Sequence, residues 1–373
     1  MIAFFVGTAA ELVKVAPVIR EVKRRRGDFI VVSSGQNDLR GSELWKLADV
    51  GGPDVILSTR PIPPRATGLA SFLVRTSASG IGELRRALDA HGGARGRKTT
   101  KAVVHGDTVS TLMGATMFAA LGVPVHHIEA GLRSFDLREP FPEEICRVLV
   151  SRLASVAYCP NEWAASHLRR KSLRKVLTEG NTLYDALALA LGGDAADTAP
   201  PHGLGLEAPY FVLVVHRQEN LLGVSFLRSV VERVRAAARR PQCVFVMHAL
   251  TRAALERARL MSELERDPSF VLLPRQPYVR FANLLARAEY LVTDGGSNQE
   301  EAYYMGKPCL LMRRVTERIE GLGENVLLAP RPLDEIDAFM RDPGRWARPR
   351  VTLTASPSAI IAADLLSDQG TAS

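Results

Sequence analysis

AVVHGDTVSTLMGATMFAALGVPVHHIEAGLRSFDLREPFPEEICR, the sequence from Ala102 to Arg147, contains two short apolar runs that each stop at a carboxylate. The first run ends at Asp107 and is followed by a helix-compatible block, residues 110–121, and the second ends at Glu129. Two strand–turn units in this order are typical of a parallel α/β sheet. Ligands bind outside the carboxyl ends of such strands, so both acids should lie at one edge of the sheet.

The end of this sequence predicts a helix start at FPEEICR, with proline at the first helical position and carboxylates in the first turn. Glu143 and Arg147 are four residues apart, so they should share one helix face. The sequence therefore predicts a single cleft for three carboxylates and one arginine, namely Asp107, Glu129, Glu143 and Arg147.

The length of 373 residues favours two domains, and 46% hydrophobic with 24% charged residues is ordinary for a globular protein. The net charge of +8 comes mostly from arginines in scattered pairs such as Arg24-Arg25, not from one tract. This distribution disfavours a nucleic-acid interface, and it suits an anionic substrate. The four cysteines lack CxxC spacing, and the first seven residues are too short for a signal sequence or membrane span. We therefore expect a cytoplasmic protein with reduced thiols and no membrane partner.

The segment Ile2–Arg25 predicts a strand, a turn at Gly7 and a helix with an apolar face. It lacks the G-x-G-x-x-G spacing of nicotinamide dinucleotide sites, although a phosphate near the helix start remains open. Lys14 lies one turn into this helix. Because lysine side chains are usually exposed, Lys14 by itself is expected at the surface.

A composition shift at residues 192–209 separates two α/β series and marks a linker. We place the first domain at 1–178, the linker at 179–209 and the second domain at 210–354. Within the first domain the pattern also predicts a helix over Glu162–Lys171.

The second domain contains a candidate phosphate site in DGGS, Asp294–Ser297, which follows a predicted strand. Gly295 and Gly296 allow close backbone approach, and a helix predicted to start at Asn298 points its amides at a bound anion. Two acids in the expected first turn complement the helix dipole or accept the hydroxyls of a ribose. They are Glu300 and Glu301. Three arginines that could neutralise a diphosphate follow one strand later, at Arg313, Arg314 and Arg318.

His216 ends its strand in the second domain as Asp107 does in the first. A lone histidine is more often structural, but this position, followed by Arg217, favours a function. The remaining histidines show no Cys/His or HExxH spacing, so we expect no metal. There is no Gly-x-Ser-x-Gly elbow or cysteine nucleophile motif.

Eight longer motifs carry a family resemblance that extends from Gly7 to about Val326. They are HGDT (105–108), HIEAGLRS (127–134), PFPEEICR (140–147), EGNTLYDAL (179–187), HRQEN (216–220), DGGSNQEEA (294–302), GKPCLLMR (306–313) and TERIE (316–320). In order and spacing they resemble the bacterial non-hydrolysing UDP-N-acetylglucosamine 2-epimerases. The hydrolysing relatives have HIEGGE at the second strand and lack the PEE…R helix.

This resemblance implies two Rossmann-like domains of the GT-B type facing across a deep cleft, with a last helix (about 355–373) returning to the first domain. It implies interconversion of UDP-N-acetylglucosamine and UDP-N-acetylmannosamine through a 2-acetamidoglucal intermediate, by a homodimer without cofactor or metal. The implied catalytic residues are Asp107, Glu129, Glu143 and His216, supported by Lys14 and Arg147. The implied UDP-binding residues are Gly295, Gly296, Ser297, Glu301, Arg313 and, near the uracil, Phe281.

The sequence departs from the family at three places. The usual first turn GTRPE is GTAAE here (residues 7–11), which removes an arginine near the nucleotide. The segment GQH-x-x-M, which in many members contacts an activating second substrate molecule, is GQNDL at 35–39. We therefore hypothesise weakened or absent allosteric activation. DGGS also shifts the serine relative to the usual DSGG.

Two other classes of function are compatible with parts of the sequence. A GT-B glycosyltransferase shares the architecture and the nucleotide-sugar site, but it does not need three clustered acids in the first domain. A non-catalytic nucleotide-sugar sensor keeps the phosphate site but is expected to lose the carboxylates, and all of them are present.

Overall fold

The computed structural model describes residues 1–57, 69–92, 99–136, 141–192, 209–237, 241–329 and 334–367. The chain divides into two compact units, one formed by Met1–Ala186 with Leu353–Ser373 and the other by Leu187–Thr352. Each unit contains a parallel sheet and several helices. The predicted α/β class with two Rossmann-like domains is confirmed.

The first unit is built on a seven-stranded sheet. Its strands are β1 (Ile2–Val6), β2 (Phe29–Ser33), β3 (Val55–Ile56), β4 (Lys101–His105), β5 (Val125–Ile128), β6 (Val156–Cys159) and β7 (Arg174–Leu177). Helices in this part of the chain are α1 (Ala9–Arg24), α2 (Leu44–Ala48), α3 (Leu69–Gly92), α4 (Val109–Ala120), α5 (Glu143–Leu153), α6 (Glu162–Ser166) and α7 (Leu183–Leu191). The strand order is β3-β2-β1-β4-β5-β6-β7, with all pairs parallel.

The second unit is built on a six-stranded sheet. Its strands are β8 (Tyr210–Val214), β9 (Gln242–Met247), β10 (Phe270–Pro274), β11 (Leu291–Thr293), β12 (Cys309–Leu311) and β13 (Val326–Leu328). The helices that follow α7 are α8 (Gln218–Leu221), α9 (Val224–Ala237), α10 (Ala249–Arg257), α11 (Met261–Arg266), α12 (Tyr278–Arg287), α13 (Gly296–Met305), α14 (Asp334–Arg341) and α15 (Pro357–Leu366), and a 3₁₀ turn covers Pro343–Trp346. The strand order is β10-β9-β8-β11-β12-β13, again all parallel.

Both sheets reverse their strand order once, between β1 and β4 in the first unit and between β8 and β11 in the second. This is the doubly wound 3-2-1-4-5-6 arrangement, extended by a seventh strand in the first unit. In such sheets the crevice at the reversal is the usual ligand position. The residues just after these four strands are therefore candidates for function.

Most of the strands are apolar, as is typical of parallel sheets whose two faces are covered by helices, whereas the edge strand β7 carries the exposed residues Arg174 and Lys175. All five residues of β1, IAFFV, are buried. Helix α1 buries the apolar face that the sequence predicts, with Leu12, Val15, Ile19 and Val22. The four cysteines are buried and form no disulfide, in agreement with the expected reduced thiols.

The last helix, α15, packs on the first unit as the resemblance implies. Asp364 accepts hydrogen bonds from Tyr158 Oη at 2.8 Å and from both terminal nitrogens of Arg174 at 2.6 and 2.7 Å. Lys101 Nζ donates to the carbonyl of Leu365 at 2.8 Å. These contacts attach the end of the chain to β4, β6 and β7.

The helix predicted over Glu162–Lys171 is wrong in length, since α6 ends at Ser166. The chain tightens there into i→i−3 hydrogen bonds, and the His167 ring binds the Gly131 carbonyl at 2.8 Å.

Helix α7 lies within the stretch assigned to the linker, and residues 193–208 of that stretch lie outside the described residues. Among the helices that the structure describes, none is long and apolar enough to cross a membrane.

Two glycines with left-handed φ provide a test of the second unit's packing. Gly306 ends α13 at φ +67°, and an added Cβ would lie 2.1 Å from the Arg348 carbonyl oxygen. Gly323 has φ +76° but nothing within 4 Å of that position. We expect Gly323→Ala to cost about 1 kcal/mol from backbone strain alone. Gly306→Ala should cost about 1–3 kcal/mol more, because the backbone segment at Arg348 must move.

Denaturant unfolding of both variants measures this difference in free energy. Equal losses for the two variants would contradict the close approach of Arg348 to Gly306.

Candidate active site

Two predicted residues of the first unit, Asp107 and Arg147, are in contact. Asp107 follows β4, and Arg147 Nη2 donates a hydrogen bond to its Oδ2. Arg147 is 1% exposed, and its Nη1 donates to Glu144 Oε2 at 2.7 Å. A buried guanidinium thus joins the end of a strand to helix α5.

Glu144 is a buried anchor that sequence reasoning missed. It is 0% exposed and accepts hydrogen bonds from Arg133 Nε and, at 3.1 Å, from the Ser134 amide. It therefore attaches the loop after β5 to α5. The only signal of this residue in the sequence was the pair of adjacent glutamates, and a pair does not show which of the two side chains is buried.

Glu143 is the half-buried first residue of α5. Pro142 precedes the helix as its N-cap, so the prediction of proline at the first helical position is wrong by one residue. Burial, together with the negative charges of Asp107 and Glu143, raises the pKa of Cys146 to about 12.

Glu129 follows β5 and lies in a buried polar cluster. Lys14 Nζ is 2.5 Å from Glu129 Oε2, Asn181 Nδ2 donates to the same oxygen, and His105 Nε2 is 3.7 Å from it. Glu129 has φ +63°, which is uncommon for a residue with a side chain.

The expectation that Lys14 lies at the surface is wrong, since this residue is 4% exposed. An ammonium group can be buried when a carboxylate compensates its charge, and Glu129 does so. Sequence exposure statistics could not identify this partner, which is 115 residues away.

Glu11, on α1, is a further buried acid. It lies between the ends of β1 and β4, where the strand order reverses. It accepts hydrogen bonds from the Gly7 amide at 2.7 Å and from Thr108 Oγ1. Burial outweighs these hydrogen bonds and raises the pKa of Glu11 to about 7. Burial has the opposite effect on His127, whose pKa is lowered to about 4 while its Nε2 lies 2.7 Å from the Gly106 carbonyl. At neutral pH His127 Nε2 therefore carries the hydrogen and donates it.

In the second unit, Asp294 connects the ends of β8 and β11. It is 0% exposed and accepts hydrogen bonds from the amides of His216 and Arg217 and from Asn220 Nδ2, each at 3.0 Å. Its Oδ1 also lies 3.1 Å from His216 Nδ1. The carboxylate thus fixes the segment that carries His216, and sequence reasoning had treated Asp294 only as part of the turn.

His216 stacks on His248, with ring centroids 4.8 Å apart and an interplanar angle of 16°. Burial lowers the pKa of His216, and the Asp294 charge opposes this effect. Burial and the neighbouring His216 lower the pKa of His248 to about 4. His248 is therefore neutral at pH 7.

The turn after β11 leaves little room for side chains at its two glycines. A Cβ on Gly295 would lie 2.5 Å from Asn298 Oδ1, and one on Gly296 would lie 2.9 Å from Glu317 Oε1. Helix α13 begins at Gly296, two residues before the predicted start at Asn298. The amides without a partner in the helix therefore belong to its first residues, Gly296, Ser297 and Asn298.

This earlier start corrects the expectation for Glu300 and Glu301, which lie beyond the first turn of α13. Dipole complementation is therefore not their role. Glu300 is 3.0 Å from Arg318 Nη1, and Glu301 accepts a hydrogen bond from Asn298 Nδ2 at 2.9 Å. Both carboxylates are buried.

The arginines expected near a diphosphate differ in their surroundings. Arg313 is buried, which lowers its pKa, and its Nη2 donates to Glu317 Oε2 at 2.8 Å. Arg313 and Arg318 both lie beside the Cβ position of Gly296, whereas Arg314 is exposed. Phe281 is half-buried on α12. Among the described residues, no group of three or more histidines, cysteines or acids could hold a metal ion.

Comparison with known proteins relates the chain to one family. A family model described as UDP-N-acetylglucosamine 2-epimerase matches residues 95–341. The UDP-2,3-diacetamido-2,3-dideoxy-D-glucuronate 2-epimerase of Pseudomonas aeruginosa is 32% identical over 65% of this chain and 71% of its own. The UDP-N-acetylglucosamine 2-epimerase of Methanocaldococcus jannaschii is 27% identical over 93% of this chain and 94% of its own. The crystal structure of the M. jannaschii enzyme with UDP-GlcNAc and UDP has the same fold, with a TM-score of 0.79, 24% identity, and 98% and 99% coverage of the two chains.

Glu11 and His127 make opposite contributions to the pH dependence of stability. The pKa of Glu11 rises from 4.5 to about 7 on folding, so its contribution is complete below pH 4.5 and is lost as pH rises through 7. The pKa of His127 falls from 6.5 to about 4, so its contribution is lost as pH falls through that range.

The variant Glu11→Gln removes the first contribution only. Relative to this variant, we expect the wild type to be more stable at pH 5 than at pH 7 by about 2 kcal/mol. Urea unfolding at the two pH values measures this difference. A difference that does not change with pH would show that Glu11 is ionised throughout.

Proposed function

Because the chain belongs to the UDP-N-acetylglucosamine 2-epimerase family, we propose that it reversibly epimerises UDP-N-acetylglucosamine at C2 to UDP-N-acetylmannosamine. The observation that carries the proposal is the set of acids after β4 and β5, each paired with a buried cation: Asp107 with Arg147, and Glu129 with Lys14. Such pairs supply groups that can accept and deliver protons at a fixed position.

The proposed reaction begins with an elimination. The C2 hydrogen is not next to a carbonyl, so its removal requires the departure of a good leaving group. A carboxylate takes the C2 proton, the C1–O bond breaks with its electron pair going to UDP, and a C1=C2 double bond forms. A proton then adds to the opposite face of C2 while the UDP oxygen rejoins C1. The sum of both steps is inversion at C2, without a redox cofactor or metal.

We assign the proton transfers to the first unit. Inversion requires acid–base groups at both faces of the sugar ring, which accounts for three carboxylates, Asp107, Glu129 and Glu143. Lys14 and Arg147 compensate the charge of two of them. Positioned acid–base groups typically contribute about 10²–10⁴-fold to the rate.

We assign UDP binding to the second unit. The amides of Gly296 and Ser297 at the start of α13 suit a diphosphate, and Gly295 permits its close approach. We further assign Arg313 and His216 to the departing diphosphate, whose stabilisation should contribute strongly to the rate. Glu301 is assigned to the ribose and Phe281 to the uracil. We also propose that the protein acts as a homodimer in the cytoplasm.

Incubation with UDP-N-acetylglucosamine in deuterated water tests the proposal. Epimerisation must place deuterium at C2, which NMR and mass spectrometry detect in both sugars. A glycosyltransferase or a nucleotide-sugar sensor leaves C2 unlabelled. An unlabelled C2 would therefore overturn the proposal. A panel that includes UDP-2,3-diacetamido-2,3-dideoxy-D-glucuronate shows which sugar is preferred.

Neutral variants of the three acids test the assignment of roles. We expect Asp107→Asn, Glu129→Gln and Glu143→Gln each to lower kcat by about 10²–10⁴-fold. UDP affinity measured by calorimetry should change little, because UDP is assigned to the other unit. Glu162→Gln, at an exposed position in the first turn of α6, serves as the control and should retain full activity. Full activity in any of the three variants would remove that residue from the proposed set.

The altered segment at residues 35–39 predicts weakened or absent allosteric activation. The donors and acceptors that contact a second substrate molecule in many family members have changed in GQNDL. We therefore expect the reverse reaction, started from pure UDP-N-acetylmannosamine, to proceed without a lag. A strict requirement for added UDP-N-acetylglucosamine would contradict this hypothesis.

A further inference from the structure

Asn181, within the motif EGNTLYDAL, has a fixed side-chain orientation. It is 3% exposed, and its Oδ1 accepts a hydrogen bond from the Leu183 amide at 3.0 Å, at the start of α7. Because the oxygen faces this amide, the NH₂ group faces the other way. It donates to Glu129 Oε2.

Glu129 Oε2 therefore receives donors from two distant parts of the chain. Lys14 Nζ reaches it from α1, and Asn181 Nδ2 reaches it from the segment after β7. Charge-assisted hydrogen bonds of this kind favour the ionised carboxylate and restrict its rotation. Glu129 itself has a φ of +63°, which is uncommon for a residue with a side chain.

We propose that Asn181 is a positioning residue that orients the Glu129 carboxylate and stabilises its charged form for proton transfer. This inference rests on the proposed function. The residue touches neither the reacting carbon nor the leaving group in the proposal. It acts through Glu129, and it accounts for a motif to which the proposed reaction gives no other role.

The groups around Glu129 allow the contribution of Asn181 to be isolated. Lys14 faces it from α1 and His105 from β4, and the Glu129 charge also acts on His127 of β5. Asn181 is the member of this group that does not titrate. Replacing its amide by a carboxylate therefore changes one charge and almost no volume.

Three variants separate orientation from folding. Asn181→Asp keeps an oxygen for the Leu183 amide and places a second carboxylate against Glu129. Asn181→Ala removes both hydrogen bonds. Asn161→Ala is the matched control. Asn161 Oδ1 accepts a hydrogen bond from the Ala164 amide at 2.8 Å at the start of α6, so this substitution also removes a helix cap, but at a different helix.

The primary measurement is the titration of Glu129 in the full chain by ¹³C NMR of labelled glutamate, assigned with Glu129→Gln. Two carboxylates at hydrogen-bond distance share a proton, so Asn181→Asp should raise the Glu129 midpoint by about one pH unit or more. Asn181→Ala should raise it by a smaller amount, because a donor to the charged form is lost. Asn161→Ala should leave it unchanged.

The second measurement is the pH profile of C2 epimerisation. We expect Asn181→Ala to lower kcat about tenfold or more with little change in KM. The acid side of the Asn181→Asp profile should move to higher pH in parallel with the NMR titration. A merely structural role would lower the amount of folded enzyme and would not move the profile.

The outcomes distinguish this inference from the proposed function. An unchanged Glu129 titration in both Asn181 variants overturns the inference, whether or not the wild type epimerises its substrate. A shifted titration in a protein that leaves C2 unlabelled supports the contact but overturns the proposed function, and with it the role of Asn181 in proton transfer.

Discussion

The buried ion pair between Lys14 and Glu129 holds together the polar edge of the first unit. Lys14 lies on the helix after β1, and Glu129 follows β5, with β4 between them in the sheet. Removing one partner of a buried pair typically costs about 3–5 kcal/mol, because the other charge is left uncompensated. The loops that follow these strands are therefore fixed relative to one another, and Asn181 attaches to the same carboxylate from beyond β7.

The second unit uses a buried carboxylate in a different way. Asp294 is surrounded by N–H donors from the backbone and side chains of residues 216–220, and a backbone segment replaces the cation. The result is similar, since two strand ends at the order reversal are tied together. The consequence is local order at His216 and at the Gly295–Gly296 turn, the residues assigned here to the nucleotide.

Much of the architecture could be predicted because it depends on local patterns. Apolar runs of four to six residues that stop at a glycine, a proline or a polar residue identified most of the strands. The edge position of Asp107 and Glu129 follows from parallel strand geometry alone. The start of α13 was placed too late, because a sequence pattern does not show that Gly296 adopts helical geometry. Short elements such as β3 and α2 carry too little periodicity to be predicted.

The sequence by itself determined the fold class and the family, and it predicted the acids of the site, since each depends on local spacing and on ordered motifs. Only the tertiary structure decided the partners of those acids. In the structure, Lys14 is buried against Glu129, and Glu144 is the second partner of Arg147. The side-chain amide of Asn181 donates to Glu129. The physical reason is that burial and pairing depend on contacts between distant segments, and a single sequence contains no measure of those distances.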